Sequence, residues 1–134
     1  MSVQEWLTTD SAFTQKARDD LVSAITGAGG NEVFFFGSLD EEGRLATVEV
    51  VARGHAGAVP VFLERAGDHQ VLIHNHPGGD LPPSPADLSI ASEAGARRLG
   101  FFIIDNHAEL VYRVVEPFAE SREIPLDLDE IAGA

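Results

Sequence analysis

Val71-Leu72-Ile73-His74-Asn75-His76-Pro77-Gly78-Gly79-Asp80-Leu81-Pro82-Pro83-Ser84-Pro85-Ala86-Asp87 is the stretch on which the reading of this chain turns. The apolar run Val71-Leu72-Ile73 predicts a buried strand that carries two histidines at its carboxyl end. Side chains two apart on a strand share a face, so His74 and His76 point to one side and Asn75 to the other. Pro77, Gly78 and Gly79 stop the strand, and Asp80 reads as a solvated turn residue. Pro82-Pro83 hold an extended turn until Ser84-Pro85-Ala86-Asp87 opens a helix, with Ser84 as N-cap and Pro85 at the first helical position. Folding the helix start back over the histidines brings Asp87 in as a third ligand.

Two imidazoles, one carboxylate and an open position describe a catalytic rather than a structural zinc site. The same ligands also serve iron(II) oxygenases, and ligand type does not by itself select the metal. Each residue has a plainer role: Asp87, three positions after Ser84, sits where a capping-box carboxylate belongs, and Ser84 is an ordinary N-cap. A lone histidine is more often a surface or satisfied core residue than a ligand. The joint pattern is what favours a metal.

His-x-His, seven residues, Ser, two residues and Asp is similar to the motif of the JAMM (MPN+ or JAB) metalloproteases, which His74, His76, Ser84 and Asp87 match position by position. His74-Asn75-His76-Pro77 with Pro83-Ser84 later on most resembles the bacterial RadC-type branch, whereas deubiquitinases of the family usually carry Ser or Thr at the place of Asn75. The resemblance spans roughly residues 32–116. It implies an α/β fold, a mixed β-sheet flanked by helices, of JAMM/MPN (cytidine deaminase-like) architecture. It further implies Zn2+ on His74, His76 and Asp87, and cleavage of a peptide or isopeptide bond in a protein or peptide substrate.

The family also uses an upstream glutamate that takes a proton from the metal-bound water. Glu32, in Asn31-Glu32-Val33-Phe34-Phe35-Phe36-Gly37, opens an apolar strand as the family's glutamate does, and is favoured. Glu49, in Ala46-Thr47-Val48-Glu49-Val50-Val51, is the rival, although its alternation suits a solvent-facing strand position. On this resemblance Glu32 passes its proton to the leaving amine and Ser84 donates to the oxyanion.

A chain of 134 residues with 44% hydrophobic content has room for one domain with a real core. Without cysteine, thiolate zinc ligands, disulfides and cysteine nucleophiles are excluded. Nine basic against twenty-two acidic residues, net charge -13, repel phosphate backbones, so no direct nucleic-acid binding is expected. No apolar run reaches the length of a membrane span and the amino terminus lacks signal-peptide regions, so a cytoplasmic location is expected.

The patterning predicts a helix from Asp10 to Thr26, then a hairpin of Glu32 to Leu39 and Arg44 to Arg53 around Asp40-Glu41-Glu42-Gly43. A short helix over Val59 to Arg65 and the His strand over Gln70 to His74 follow. The next helix, Pro85 to Leu99, is expected to pack on the sheet through Leu88, Ala91, Ala94 and Gly95. Strands Phe101 to Ile104 and Leu110 to Val115 turn at Asp105-Asn106-His107-Ala108-Glu109. Phe34, Phe35 and Phe36 in succession must put an aromatic ring on each sheet face.

The domain is thus read as 1–116, with 117–134 an acidic tail or linker. That tail, with Asp105-Asn106 and Val114-Val115-Glu116-Pro117, resembles the segment joining an amino-terminal JAB domain to a bacterial DinG-like helicase, which implies fusion to a helicase region. His55 and His107 read as solvated loop residues, and His69 has no nameable partner. Three functions compete: a zinc metallopeptidase or isopeptidase, a zinc-binding accessory module of a bacterial DNA-repair protein, and an iron(II) site.

Overall fold

A computed structural model describes residues 6–53, 63–79 and 82–117. Its sheet has six strands in the order β1-β6-β5-β4-β2-β3. These are β1 (Trp6–Thr8), β2 (Val33–Leu39), β3 (Leu45–Arg53), β4 (Val71–Asn75), β5 (Gly100–Ile104) and β6 (Leu110–Val115). Helix α1 (Gln15–Gly27) precedes β2, a single 3-10 turn spans Leu63–Arg65, and helix α2 (Pro85–Ala96) links β4 to β5.

The His-bearing strand is central, and every residue of β4 is buried. A strand covered on both faces reads as an unbroken apolar run, as Val71-Leu72-Ile73 does. On one side β4 pairs antiparallel with β2, and on the other parallel with β5. Parallel neighbours need a crossover, and α2 is that crossover. The sheet is therefore mixed and flanked by helices, as expected.

The three phenylalanines divide between two cores. Phe34 and Phe36 join Leu72, Phe101 and Ile103 beneath Ile90, Ala91 and Ala94 of α2. Phe35 joins Val33, Val71, Ile73 and Phe102 beneath Ala17, Leu21 and Ile25 of α1. Both sheet faces are thus covered by helix, and each buried phenylalanine contributes about 1.5–3 kcal/mol by removal from water. Gly37 makes the inner face possible, since a Cβ there would come within 2.6 Å of Leu45 Cδ1.

Several boundaries differ from the expectation. Helix α1 begins at Gln15, because residues just before it are stitched to β3: Phe13 bridges Leu45, and the Thr14 N–H donates to Leu45 O at 2.8 Å. Thr14 then caps the helix by accepting from Ala17 N. Strand β2 begins at Val33, so Glu32 precedes it rather than opening it. Helix α2 ends at Ala96, and Arg98 adopts a positive φ of 64° where the chain turns into β5.

Leu88 does not pack on the sheet; it is 54% exposed, and the buried face of α2 is Asp87, Ile90, Ala91 and Ala94. Turning Asp87 inward rotates the next residue about 100° away, toward solvent. Strand β1, with only three residues, was not anticipated. Of the short helix over 59–65, only Leu63–Arg65 lies within the described residues, and His55, Asp80 and residues 118–134 lie outside them.

Candidate metal centre

The carboxyl end of β4 and the first turn of α2 meet at three side chains. His74 is held in the sheet by Phe34↔His74 pairing toward β2 and His74↔Ile103 pairing toward β5. Its ring is sandwiched by Phe34 and Phe101, with centroids at 4.7 and 5.6 Å and interplanar angles of 6° each. His76 lies one residue past the strand, where its N–H still donates to Ile104 O at 2.9 Å. His74 is 1% exposed and His76 16%.

Asp87 receives both rings. His74 Nε2 is 2.8 Å from Asp87 Oδ1, and His76 Nε2 is 2.8 Å from Asp87 Oδ2. Oδ2 also accepts from the Ser84 N–H at 2.9 Å and the Ser84 Oγ–H at 3.0 Å. The Asp87 N–H donates back to Ser84 Oγ, closing a full capping box at the start of α2. The plain role of Ser84 and Asp87 and the proposed metal role therefore reside in the same carboxylate.

Donor atoms of His74, His76 and Asp87 fall within 4.8 Å of one another, so the three can hold one metal ion. Tetrahedral ligands about 2.0–2.2 Å from one ion stand roughly 3.4 Å apart. The 2.8 Å contacts from each imidazole to Asp87 are shorter than that, so an ion would replace these hydrogen bonds rather than sit among them. Two imidazoles and a carboxylate suit zinc or iron(II) alike.

Glu32 approaches from the β2 side. Its Oε2 is 3.0 Å from His74 Nδ1 and its side chain is 26% exposed. The approach lies off the N–H direction, so Nδ1 is buried with no hydrogen-bond partner among the described residues. A ring offering a lone pair at Nε2 carries its proton on Nδ1, beside this carboxylate. Glu49 stands elsewhere: it is 63% exposed on β3 and its Oε1 meets His69 Nε2 at 3.0 Å.

The electrostatics follow from these contacts. Burial lowers the pKa of His74, but the hydrogen bond to Asp87 and the negative charge of the Asp87 and Glu32 carboxylates outweigh it and raise the imidazole above its ordinary value. Burial raises that of Asp87, yet His74 and the Ser84 donors hold the carboxyl well below the usual carboxylate range. The pair is poised as an ion pair.

Sequence reasoning missed two groups. His69 does have partners: Ser38 Oγ at 3.1 Å from Nδ1, Glu49, and the Phe36 ring stacked at 5.5 Å. Asn75 is buried on the face opposite the metal ligands and bonded to residues near Glu32 and to Asn106. A carboxamide inside so apolar a strand was the available signal. His107 is exposed in the β5–β6 turn. A cleft of about 670 Å³, lined by Ala28, Asn31, Glu32, Arg53 and Pro77, opens beside Glu32.

A mixed sheet with His-x-His ending a central strand, and the carboxylate delivered by the crossover helix, defines a domain of JAB/MPN fold with a candidate metal site. Residues 12–106 match the RadC-like JAB domain, and the chain belongs to that family. It is 35% identical over 78 residues to a UPF0758 protein of Rhodobacter capsulatus, a match covering 51% of this chain and 36% of that one. A UPF0758 protein of Stenotrophomonas maltophilia is 40% identical over 70 residues, covering 46% of this chain and 30% of that one. The chain thus matches about a third of the length of these relatives. A solution structure of a Desulfitobacterium hafniense protein aligns with a TM-score of 0.44 at 20% identity, covering 69% of this chain and 73% of that one. Among the described residues, no helix is long and apolar enough to cross a membrane.

Proposed function

We propose that this domain is a zinc-dependent hydrolase of JAMM type that cleaves a peptide or isopeptide bond in a protein or peptide substrate. The observation that carries the reading is the Glu32 carboxylate, which lies against a candidate ligand and on the wall of a cleft large enough for a peptide segment. Zinc held by His74, His76 and Asp87 would supply a water acidified toward neutral pH and a Lewis acid for the scissile carbonyl.

The chain's own residues do the rest. Glu32 is partly solvent-exposed and accepts a proton within the cleft, then returns it to the departing amine. Ser84 donates its hydroxyl hydrogen to the oxygen that gains charge, turning from Asp87 Oδ2 to do so. Asp87 and His74 stay in place, one fixed by the helix N-terminus and the other by two aromatic rings.

We place the domain in the cytoplasm, joined to a helicase region, with protein partners rather than nucleic acid. The test is incubation of zinc-loaded protein with a complex peptide mixture, with cleavage sites read by mass spectrometry, in wild type and Glu32→Gln. Cleavage by the wild type alone supports hydrolysis. No cleavage by a zinc-loaded wild type, or equal cleavage by Glu32→Gln, overturns it in favour of a zinc-binding accessory module in a DNA-repair protein.

A further inference from the structure

Ladder pairing between β2 and β4 ends at Phe34↔His74. Beyond that point the backbones are joined by a side chain. Asn75 Oδ1 accepts from the Val33 N–H at 2.8 Å, and its Nδ2 donates to Asn31 O at 3.2 Å and to Asn106 Oδ1 at 2.7 Å. Asn106 Nδ2 in turn donates to Gly30 O at 3.1 Å. Gly30 has a φ of +82°, and a Cβ there would come 3.4 Å from that same nitrogen.

The Asn31 carbonyl and the Val33 N–H belong to the two peptide groups that flank Glu32. One planar carboxamide therefore fixes both peptide planes adjoining a residue that has no ladder of its own. Asn75 is fully buried, where an unsatisfied amide costs free energy, and both of its N–H donors and its oxygen are used. An aliphatic residue would fill a buried strand position without that requirement, so packing does not account for an asparagine.

We infer that Asn75, backed by Asn106, is a positioning residue: it holds Glu32 so that its carboxylate stays beside His74. The inference rests on the reading of Glu32 as the proton acceptor. Because Asn75 follows His74 directly, one rigid strand sets a ligand with one side chain and the acceptor with the next. Backbone entropy opposes holding a residue in one conformation, so an unheld Glu32 would sample other conformers.

The test uses protein carrying 13C-labelled glutamate and loaded with cobalt(II), whose paramagnetism shortens relaxation of nearby carbons with the inverse sixth power of distance. Relaxation of the Glu32 carboxyl carbon is compared in wild type, Asn75→Ser, Asn106→Ala and Asn106→Asp, alongside cobalt stoichiometry. The expected result is unchanged cobalt uptake with a several-fold loss of enhancement at Glu32 in Asn75→Ser and Asn106→Ala. Asn106→Asp, which keeps the acceptor for Asn75 Nδ2, should recover most of it. Wild-type enhancement in both Asn75→Ser and Asn106→Ala overturns the inference, leaving Asn75 a structural residue only.

Failure of the underlying reading looks different, because Glu32→Gln would then keep full cleavage while the relaxation pattern stands. Should the wild type bind no cobalt, nuclear Overhauser contacts between the Glu32 methylenes and the His74 ring decide instead. Their loss in Asn75→Ser supports positioning, and their retention overturns it.

Discussion

Ser84 and Asp87 exchange hydrogen bonds in both directions, and the Asp87 oxygen that accepts from Ser84 is also the one that meets His76. A helix cap and a candidate metal ligand are therefore one group. Ser84→Ala should cost about 1 kcal/mol of stability through the lost cap. If Ser84 also stabilises an oxyanion, turnover should fall by roughly a hundredfold or more. Denaturant unfolding and single-turnover kinetics on the same variant separate the two effects.

His74→Ala combined with His76→Ala removes two of the three candidate ligands. Elemental analysis of protein purified without added ions should find about one metal ion per wild-type chain and none in the double variant. Zinc is the expected metal, and iron in the wild type would support the oxygenase reading instead.

Glu32→Gln distinguishes a proton acceptor from a ring-orienting partner of His74. As an acceptor, Glu32 can be replaced with loss of cleavage and little change in zinc affinity. As the outer carboxylate of a carboxylate–histidine–metal arrangement, its replacement should weaken zinc binding by roughly 10- to 100-fold. Competition with a chromogenic chelator reads this directly.

Proton linkage gives the chelator-treated protein and the zinc complex opposite pH preferences. The raised pKa of His74 stabilises the fold fully below its ordinary value of 6.5, and that contribution is lost as pH rises through the raised folded value. The depressed pKa of Asp87 stabilises above its ordinary value of 3.8 and is lost as pH falls through the lower folded value. Chelator-treated protein should thus be most stable between these limits, and lose stability toward alkaline pH. Zinc competes with the proton on His74, so its affinity should rise over that same alkaline range. Denaturation midpoints with chelator, and calorimetry of zinc binding in two buffers, test both slopes.

The corrected phase of α2 has its own test. Ile90→Ala should destabilise by about 2–5 kcal/mol, whereas Leu88→Ala should stay within about 0.5 kcal/mol. Equal effects in chemical denaturation would contradict the observed packing of the helix.

What could be read beforehand was local. His74, His76, Ser84 and Asp87 lie within one strand–loop–helix, where residue spacing fixes which side chains converge. The apolar run of β4 showed its burial for the same reason. The phase of α2 was misjudged because Leu88 is as apolar as the true core positions, and only the inward turn of Asp87 selects between them. Strand β1 is too short to have a period. The Asn75 clamp joins residues 31 to 44 positions apart, and His69 finds partners 20 and 31 positions away, distances over which periodicity carries no information. Glu32 could be named by resemblance, but not the nitrogen of His74 that it faces.

The two imidazoles of the centre are unequal in exposure. His74 is clamped between Phe34 and Phe101 in mid-sheet, while His76 stands at the strand's end with more of its surface in water. Of the three candidate ligands His76 has the most side-chain surface in water, so an incoming ion would meet it before Asp87 or His74. Exchange of an ion with solvent would thus run past His76, whereas the stacked ring of His74 would fix where the ion comes to rest.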